Sequence, residues 1–89
     1  MRLPMTCVRV SVLYFAGLRD AVGVSDETLE LPERVRTVGE LRDHLATRHR
    51  GYAERRASVR VARNEAFALD GDPVEDGDVI ALIPPVAGG

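Results

Sequence analysis

A single amphipathic helix near the middle of the chain carries the clearest structural signal in the sequence. Thr37 is a suitable N-cap, and Glu40 three residues later completes a capping box. The apolar residues that follow repeat at helical spacing: Val38, Leu41, Leu45 and Ala46. The helix is expected to end near Gly51. Because a helix with one apolar face is stable only when that face is covered, the rest of the chain must supply a covering surface.

That surface is predicted to be a sheet. Residues 8–15 alternate between valine or tyrosine and other residues, so the valine side should face the core. The same alternation places Leu13 and Phe15 on the solvent side. A short helical turn is expected over residues 16–23. The other predicted strands are residues 26–32, 59–62, 66–69 and 79–83, with turns at 70–73 and 76–78.

The order hairpin, helix, three short strands predicts the fold class. A chain of 89 residues forms one domain with one modest core. The helix can be buried on one face of a mixed sheet of about five strands, which makes the first and last strands central neighbours. This is an α+β architecture, the β-grasp or ubiquitin-like roll. We expect it to occupy residues 1–83, with 1–6 as a loose leader and 84–89 as an extended, flexible tail.

Composition excludes several kinds of catalytic site. All twelve basic residues are arginine, so the chain has no lysine for a Schiff base, a P-loop or an isopeptide chain on itself. Cys7 is the only cysteine and is expected to be a small strand residue. His44 and His49 are five residues apart, a spacing that does not align two ligands on one helix face. We expect two surface histidines and no metal site.

Charge is segregated along the sequence. Residues 48–63 contain six arginines, whereas residues 65–78 carry six carboxylates and no basic residue. An acidic surface repels nucleic acid and anionic membranes and favours a basic groove on a partner protein. No recognised RNA-binding motif accompanies the arginine stretch, which is interpreted as solvated. We therefore expect no nucleic-acid or membrane partner. Because the sequence shows neither a secretory signal pattern nor an apolar run long enough for a membrane span, we expect a cytoplasmic location.

The C-terminal segment "IPPVAGG" is the strongest functional signal. Pro84 and Pro85 have no N–H group for a sheet ladder, so they end the last strand and direct the chain outward. Gly88 and Gly89 have no Cβ, so they can pass through a narrow channel and leave the terminal carboxylate accessible. A chance occurrence of two glycines at a disordered end remains the alternative.

Three segments resemble the small subunit of molybdopterin synthase, the sulfur-carrier family of molybdenum-cofactor biosynthesis. They are "VLYFAGLRDAVG", "TVGELRDHL" and "VARNEAFALDGDPVEDGDVIALIPPVAGG". The resemblance extends over nearly the whole chain from Val8, and its most specific part is the ending.

The resemblance implies a function in which the chain supplies sulfur and its partners supply catalysis. An E1-like enzyme would use ATP to adenylate Gly89, and a sulfur donor such as a cysteine desulfurase or rhodanese would convert it to a thiocarboxylate. The large synthase subunit would then receive the tail in a heterotetramer, and sulfur would pass to cyclic pyranopterin monophosphate. No cofactor is expected on the chain itself. The implied channel residues are Gly88, Ala87, Val86, Pro85 and Pro84.

The resemblance also implies an apolar patch that contacts partners, formed by Phe15, Phe67 and Ile83. Ile83 departs from the family, in which an aromatic residue is common at this position. The alternative for Phe67 is that it fills an edge of the core. Three alternatives for the function stay open: a carrier for thiazole, cysteine or tRNA thiolation, a ubiquitin-like modifier joined to lysines of other proteins, and a free-standing enzyme.

Overall fold

The computed structural model describes residues 8–85, and within them a five-stranded mixed sheet forms the framework. The strands lie in the order β2-β1-β5-β3-β4, with β5 parallel to β1 and antiparallel to β3. β1 and β2 form an antiparallel hairpin. The strand bounds are β1 Val8–Tyr14, β2 Asp26–Leu31, β3 Arg60–Arg63, β4 Ala66–Phe67 and β5 Val79–Ile83.

The helices lie between these strands in the chain. α1 spans Ala16–Val22, α2 spans Val38–Arg48 and α3 spans Arg50–Ala53, and a 3₁₀ turn follows over Arg56–Ser58. The predicted capping box at the start of α2 is confirmed: the Thr37 side chain accepts from the Glu40 N–H, and the Glu40 carboxylate accepts from the Thr37 N–H.

One core joins α2 to the sheet. The valine face of β1 is buried as predicted, and Ile80 and Leu82 of β5 lie beside it at 0% exposure. The helix contributes Val38, Leu41 and Leu45, all fully buried. These observations confirm the β-grasp architecture, with the first and last strands as central neighbours.

Two predicted boundaries are wrong by more than one residue. α2 ends at Arg48 and not near Gly51, because His49 takes an extended conformation before α3 begins. β4 is two residues long and not four. The Leu69 N–H is bonded to the carboxylate of Asp72 at 2.9 Å, so a turn replaces the sheet ladder there.

Gly51 lets α3 approach α1 closely. A Cβ atom on Gly51 would lie 2.7 Å from the carbonyl carbon of Ala21 and closer still to its oxygen. Real Cβ atoms do not come so near to backbone atoms, so this position requires glycine for its lack of a side chain.

Asp78 fixes the turn that leads into β5. Its side chain is buried and accepts hydrogen bonds from Arg63, Asn64 and the N–H of Glu75. Burial raises the pKa of this carboxyl, but the Arg63 ion pair and the other donors lower it more, so the pKa lies below its usual value. The start of the central strand is therefore tied to the β3–β4 hairpin.

Candidate functional site

The chain leaves the sheet at the end of its central strand. β5 is paired with β3 as far as Ile83, and the N–H of Phe15 is bonded to the carbonyl of Leu82 at 3.3 Å. Pro84 and Pro85 follow, and neither has an N–H to extend the ladder. The strand therefore ends next to the first turn of α1.

An apolar groove of about 680 Å³ lies at this point and is called the exit groove below. None of the residues that line it is acidic. They are Phe15, Ala16, Gly17, Leu18, Arg55, Ser58, Val59, Ile83, Pro84 and Pro85. Phe15 is 45% exposed, as expected for an apolar residue on the solvent side. An exposed apolar surface of this kind is typical of a protein-binding site.

Phe67 lies on the outer face of the sheet, opposite α2. It pairs with Ala62 across the β3–β4 hairpin, and paired residues of neighbouring strands share a face. Arg60 and Ile83 pair on that same face of the next ladder. Phe67 is 63% exposed, so the alternative that it fills a core edge is wrong.

The three predicted patch residues therefore do not form one cavity. Phe15 and Ile83 line the exit groove together, whereas Phe67 lines a neighbouring groove. Arg60 separates them, with its guanidinium carbon 4.4 Å from the centre of the Phe67 ring. Their role in binding partners stays a prediction.

The predicted tail lies only partly within the described residues. Pro84 and Pro85 are described and line the exit groove. The other predicted channel residues, Val86, Ala87 and Gly88, and the reacting residue Gly89 lie outside the described residues, as does Cys7.

A polar cluster that the sequence analysis missed joins β1, β2 and the α2–α3 junction. The Tyr14 hydroxyl donates to the Glu27 carboxylate at 2.6 Å, and Nε2 of His49 lies 2.6 Å from the same oxygen, Oε2. The Tyr14 and His49 rings meet edge to face. His49 is thus half-buried and paired, so its expected place on the surface is wrong. The available signal was Tyr14 itself, since a buried tyrosine hydroxyl needs a partner.

This cluster shifts the pKa values of two of its members. Burial and the contact with Glu27 raise the pKa of the Tyr14 hydroxyl. Partial burial raises the pKa of Glu27, but hydrogen bonds from Tyr14 and His49 and the charge of Arg48 lower it more, so the net shift is downward. Glu27 therefore stabilises the fold in its ionised form.

Replacing Glu27 with Gln should lower the free energy of unfolding at pH 7 by about 1.5–3 kcal/mol, the range for hydrogen bonds to charged groups. Because the folded-state pKa of Glu27 lies below its unfolded value, its contribution is present above the unfolded pKa and is lost as pH falls through the folded pKa. Urea unfolding of both proteins at pH 7 and pH 3 should show the difference shrinking in acid. The control Glu30→Gln, on the exposed face of the same strand, should change stability by at most about 0.5 kcal/mol at either pH. An equal difference at both pH values would contradict this assignment.

Several carboxylates of residues 65–78, the acidic third of the chain, form ion pairs within the domain. The predicted acidic surface is therefore partly neutralised. Asp78 is paired with Arg63, which also lies 3.4 Å from Glu75. Asp70 is paired with Arg42, a side chain that also donates to the buried Tyr52 hydroxyl. The acidic third therefore presents less free negative charge than its sequence indicates.

Two further features concern ligands and membranes. Among residues 8–85, no three His, Cys, Asp or Glu side chains are grouped so that they could hold a metal ion. None of the helices in this part of the chain has the length and apolar character needed to cross a membrane.

Comparison with known proteins identifies the family. The ThiS family model matches residues 12–89. The human molybdopterin synthase sulfur carrier subunit is 36% identical, over 91% of this chain and 94% of that protein. The corresponding Arabidopsis thaliana protein is 37% identical, over 92% of this chain and 84% of that protein.

Solved structures agree with this relationship. A putative molybdopterin converting factor subunit 1 from Pyrococcus furiosus is 34% identical, with a TM-score of 0.78 over 89% of this chain and 99% of that one. SAMP1 from Haloferax volcanii is 28% identical, with a TM-score of 0.80 over 91% and 99%. A chain in the complex of subunits 1 and 2 of the Helicobacter pylori molybdopterin-converting factor is 28% identical, with a TM-score of 0.68 over 92% and 100%. The chain belongs to the ThiS family, and the curated relatives described above are molybdopterin synthase sulfur carrier subunits.

Proposed function

We propose that this chain is a sulfur carrier of molybdenum-cofactor biosynthesis whose reacting group is the carboxylate of Gly89. A single observation carries the proposal: the similarity to curated sulfur carrier subunits of molybdopterin synthase extends over about nine-tenths of the chain. The family match also runs through the glycine pair to residue 89.

The chemistry follows from the weakness of a carboxylate as an acyl donor. An activating enzyme joins the Gly89 carboxylate to the α-phosphate of ATP, and pyrophosphate leaves. The outer sulfur of a persulfide on a donor protein then attacks the acyl carbon, and AMP leaves. A thiol reductant cleaves the resulting acyl disulfide: the S–S bond breaks, its electron pair stays on the acyl sulfur, and the thiol forms a disulfide with the donor cysteine. The product is a thiocarboxylate, which passes its sulfur to cyclic pyranopterin monophosphate in the large synthase subunit.

The geometry of the exit is consistent with this role. Pro84 and Pro85 follow the last paired residue of β5 and cannot extend its ladder, and six residues from Pro84 to Gly89 can span at most about 20 Å. That length is sufficient to reach into the active site of another protein. The exit groove beside Pro84 and Pro85 gives such a partner an apolar surface to contact.

The proposed partners are the large subunit of molybdopterin synthase, an E1-like adenylating enzyme and a sulfur donor such as a cysteine desulfurase or rhodanese. The Helicobacter pylori complex of subunits 1 and 2 supports the first of these. The other two follow from the chemistry, since the domain itself offers neither a phosphate loop nor a catalytic lysine in its sequence.

The direct test is a mass measurement on the purified chain. After incubation with its activating enzyme, ATP and a sulfur source, the intact chain should gain the mass difference between sulfur and oxygen at its C-terminal residue. Omission of ATP should prevent the gain. A chain that remains unchanged under complete conditions would contradict the proposal.

The second candidate is a ubiquitin-like modifier, favoured by the similarity to SAMP1, which solved structures describe as a small archaeal modifier protein. In that case the activated Gly89 would form isopeptide bonds with lysines of other proteins. Proteomic detection of Gly89 joined to lysine side chains would support the modifier, and recovery of only the thiocarboxylate would support the carrier.

A further inference from the structure

Two arginines lie near the end of β5, one in the exit groove and one, Arg60, in the neighbouring groove that Phe67 lines. Arg55 is one of its lining residues, and its side chain is about half exposed at 49%. Arg60 is exposed on β3 directly across from Ile83, the last residue of β5. Both are therefore placed where a partner that receives the tail must approach.

The positive charge of these arginines is largely uncompensated. Arg60 packs over the Phe67 ring and has no carboxylate within 4.0 Å among residues 8–85. Arg55 donates to the carbonyl of Gly51 and lies 3.7 Å from Glu54, but Glu54 also lies 3.6 Å from Arg50. One carboxylate is thus shared between two arginines, which leaves a net positive charge.

The turn at residues 76–78, which contains Asp76 and Asp78, lies at the opposite end of the sheet. The Asp76 carboxylate accepts a hydrogen bond from the N–H of Arg9, near the beginning of β1, and the N–H of Gly77 donates to the carbonyl of Arg9. The exit groove lies beyond the other end of β1. The parallel strands β1 and β5 therefore separate the exit groove from this turn. Arg55 and Arg60 therefore lie near the end of the sheet where β5 ends, and the exposed Asp26, across from Leu13 of β1, lies at the same end.

We propose that Arg55 and Arg60 form a cationic rim around the exit groove, and that the large subunit presents carboxylates around the mouth of its channel. The partner surface would thus combine an apolar centre with an acidic border. Apolar contact at the centre gives affinity, while complementary charge at the border steers the encounter and sets the orientation. This inference rests on the proposed function, because that function makes the large subunit the partner.

The test is the rate of association with the large subunit encoded in the same genome, measured at low salt for the double variant Arg55→Glu/Arg60→Glu. We expect association to slow by roughly ten- to a hundredfold, with the difference from the unsubstituted chain narrowing as salt is raised. The control Arg34→Glu makes the same kind of charge change in the loop before α2, next to Val35, and should alter the rate little. The neutral variant Arg55→Gln/Arg60→Gln should also associate more slowly than the unsubstituted chain, but by a smaller factor. It serves as a second test in case the glutamate variant does not fold.

Each possible association rate either supports or overturns the proposed cationic rim. Slower association supports the cationic rim, whereas a rate equal to that of the Arg34→Glu control overturns it. Faster association also overturns it, because that result means the partner is basic. The mass test on Gly89 reports separately on the proposed function: a chain that gains sulfur but associates at a rate independent of these arginines keeps the function and loses the inference. Absence of both sulfur gain and binding by the unsubstituted chain rejects the two together.

Discussion

Deletion of Gly89 is expected to abolish the gain of sulfur mass while leaving the domain folded. The shortened chain ends on Gly88, so its carboxylate stops about 3.3 Å short of the activating centre. A misplacement of about 1 Å can cost a hundredfold in rate, so a shift of one residue should reduce thiocarboxylation below detection. Intact-mass spectrometry measures the product, and thermal unfolding should give an unchanged Tm.

The matched control for this deletion is Gly71→Ala. Gly71 is exposed, and a Cβ atom there has no neighbour within 4 Å. This variant should gain sulfur at the rate of the unsubstituted chain. Thiocarboxylation of the shortened chain at an undiminished rate would show that the position of the terminal acyl group does not matter, contrary to the proposed function.

Replacement of Gly51 with Ala should cause a large loss of stability. The new Cβ would overlap the backbone carbonyl of Ala21, and neither α1 nor α3 can move without disturbing the core. Overpacking of this kind costs about 1–3 kcal/mol, and a backbone neighbour places the value at the upper end of that range. Urea unfolding should show a lower midpoint with an unchanged slope.

Gly17→Ala is the corresponding control, because Gly17 also lies in a helix. Its Cβ would meet nothing within 4 Å, so the substitution gains helix propensity without a clash. We expect this variant to be as stable as the unsubstituted chain or more stable by up to about 1 kcal/mol. A Gly51→Ala protein as stable as the Gly17→Ala protein would contradict the close approach of α3 to α1.

Features set by neighbouring residues could be predicted from the sequence. The capping box of Thr37 and Glu40 acts over three residues, and the alternation of β1 is a local property that decides which face is buried. The central position of β5 followed from a different requirement, namely that one helix must be covered by one sheet. The exposure of Phe15 followed from the same alternation.

Features set by residues distant in the chain could not be predicted in this way. α2 ends at Arg48 because His49 leaves the helix, and the His49 ring is held by Glu27 from β2. α3 exists because Tyr52 is fully buried and its hydroxyl accepts from Arg42 of α2. The split of the apolar patch into two grooves depends on the placement of Arg60 over Phe67, which no periodic pattern encodes.

The parallel pairing of β5 with β1 has a consequence for the order of events during synthesis. β1 is synthesised before its inner neighbour β5, and all the helices lie between them in the chain. Contacts between segments so far apart in the chain form slowly, because a long loop must close before they can contribute. The complete sheet is thus expected to assemble only after β5 has been translated.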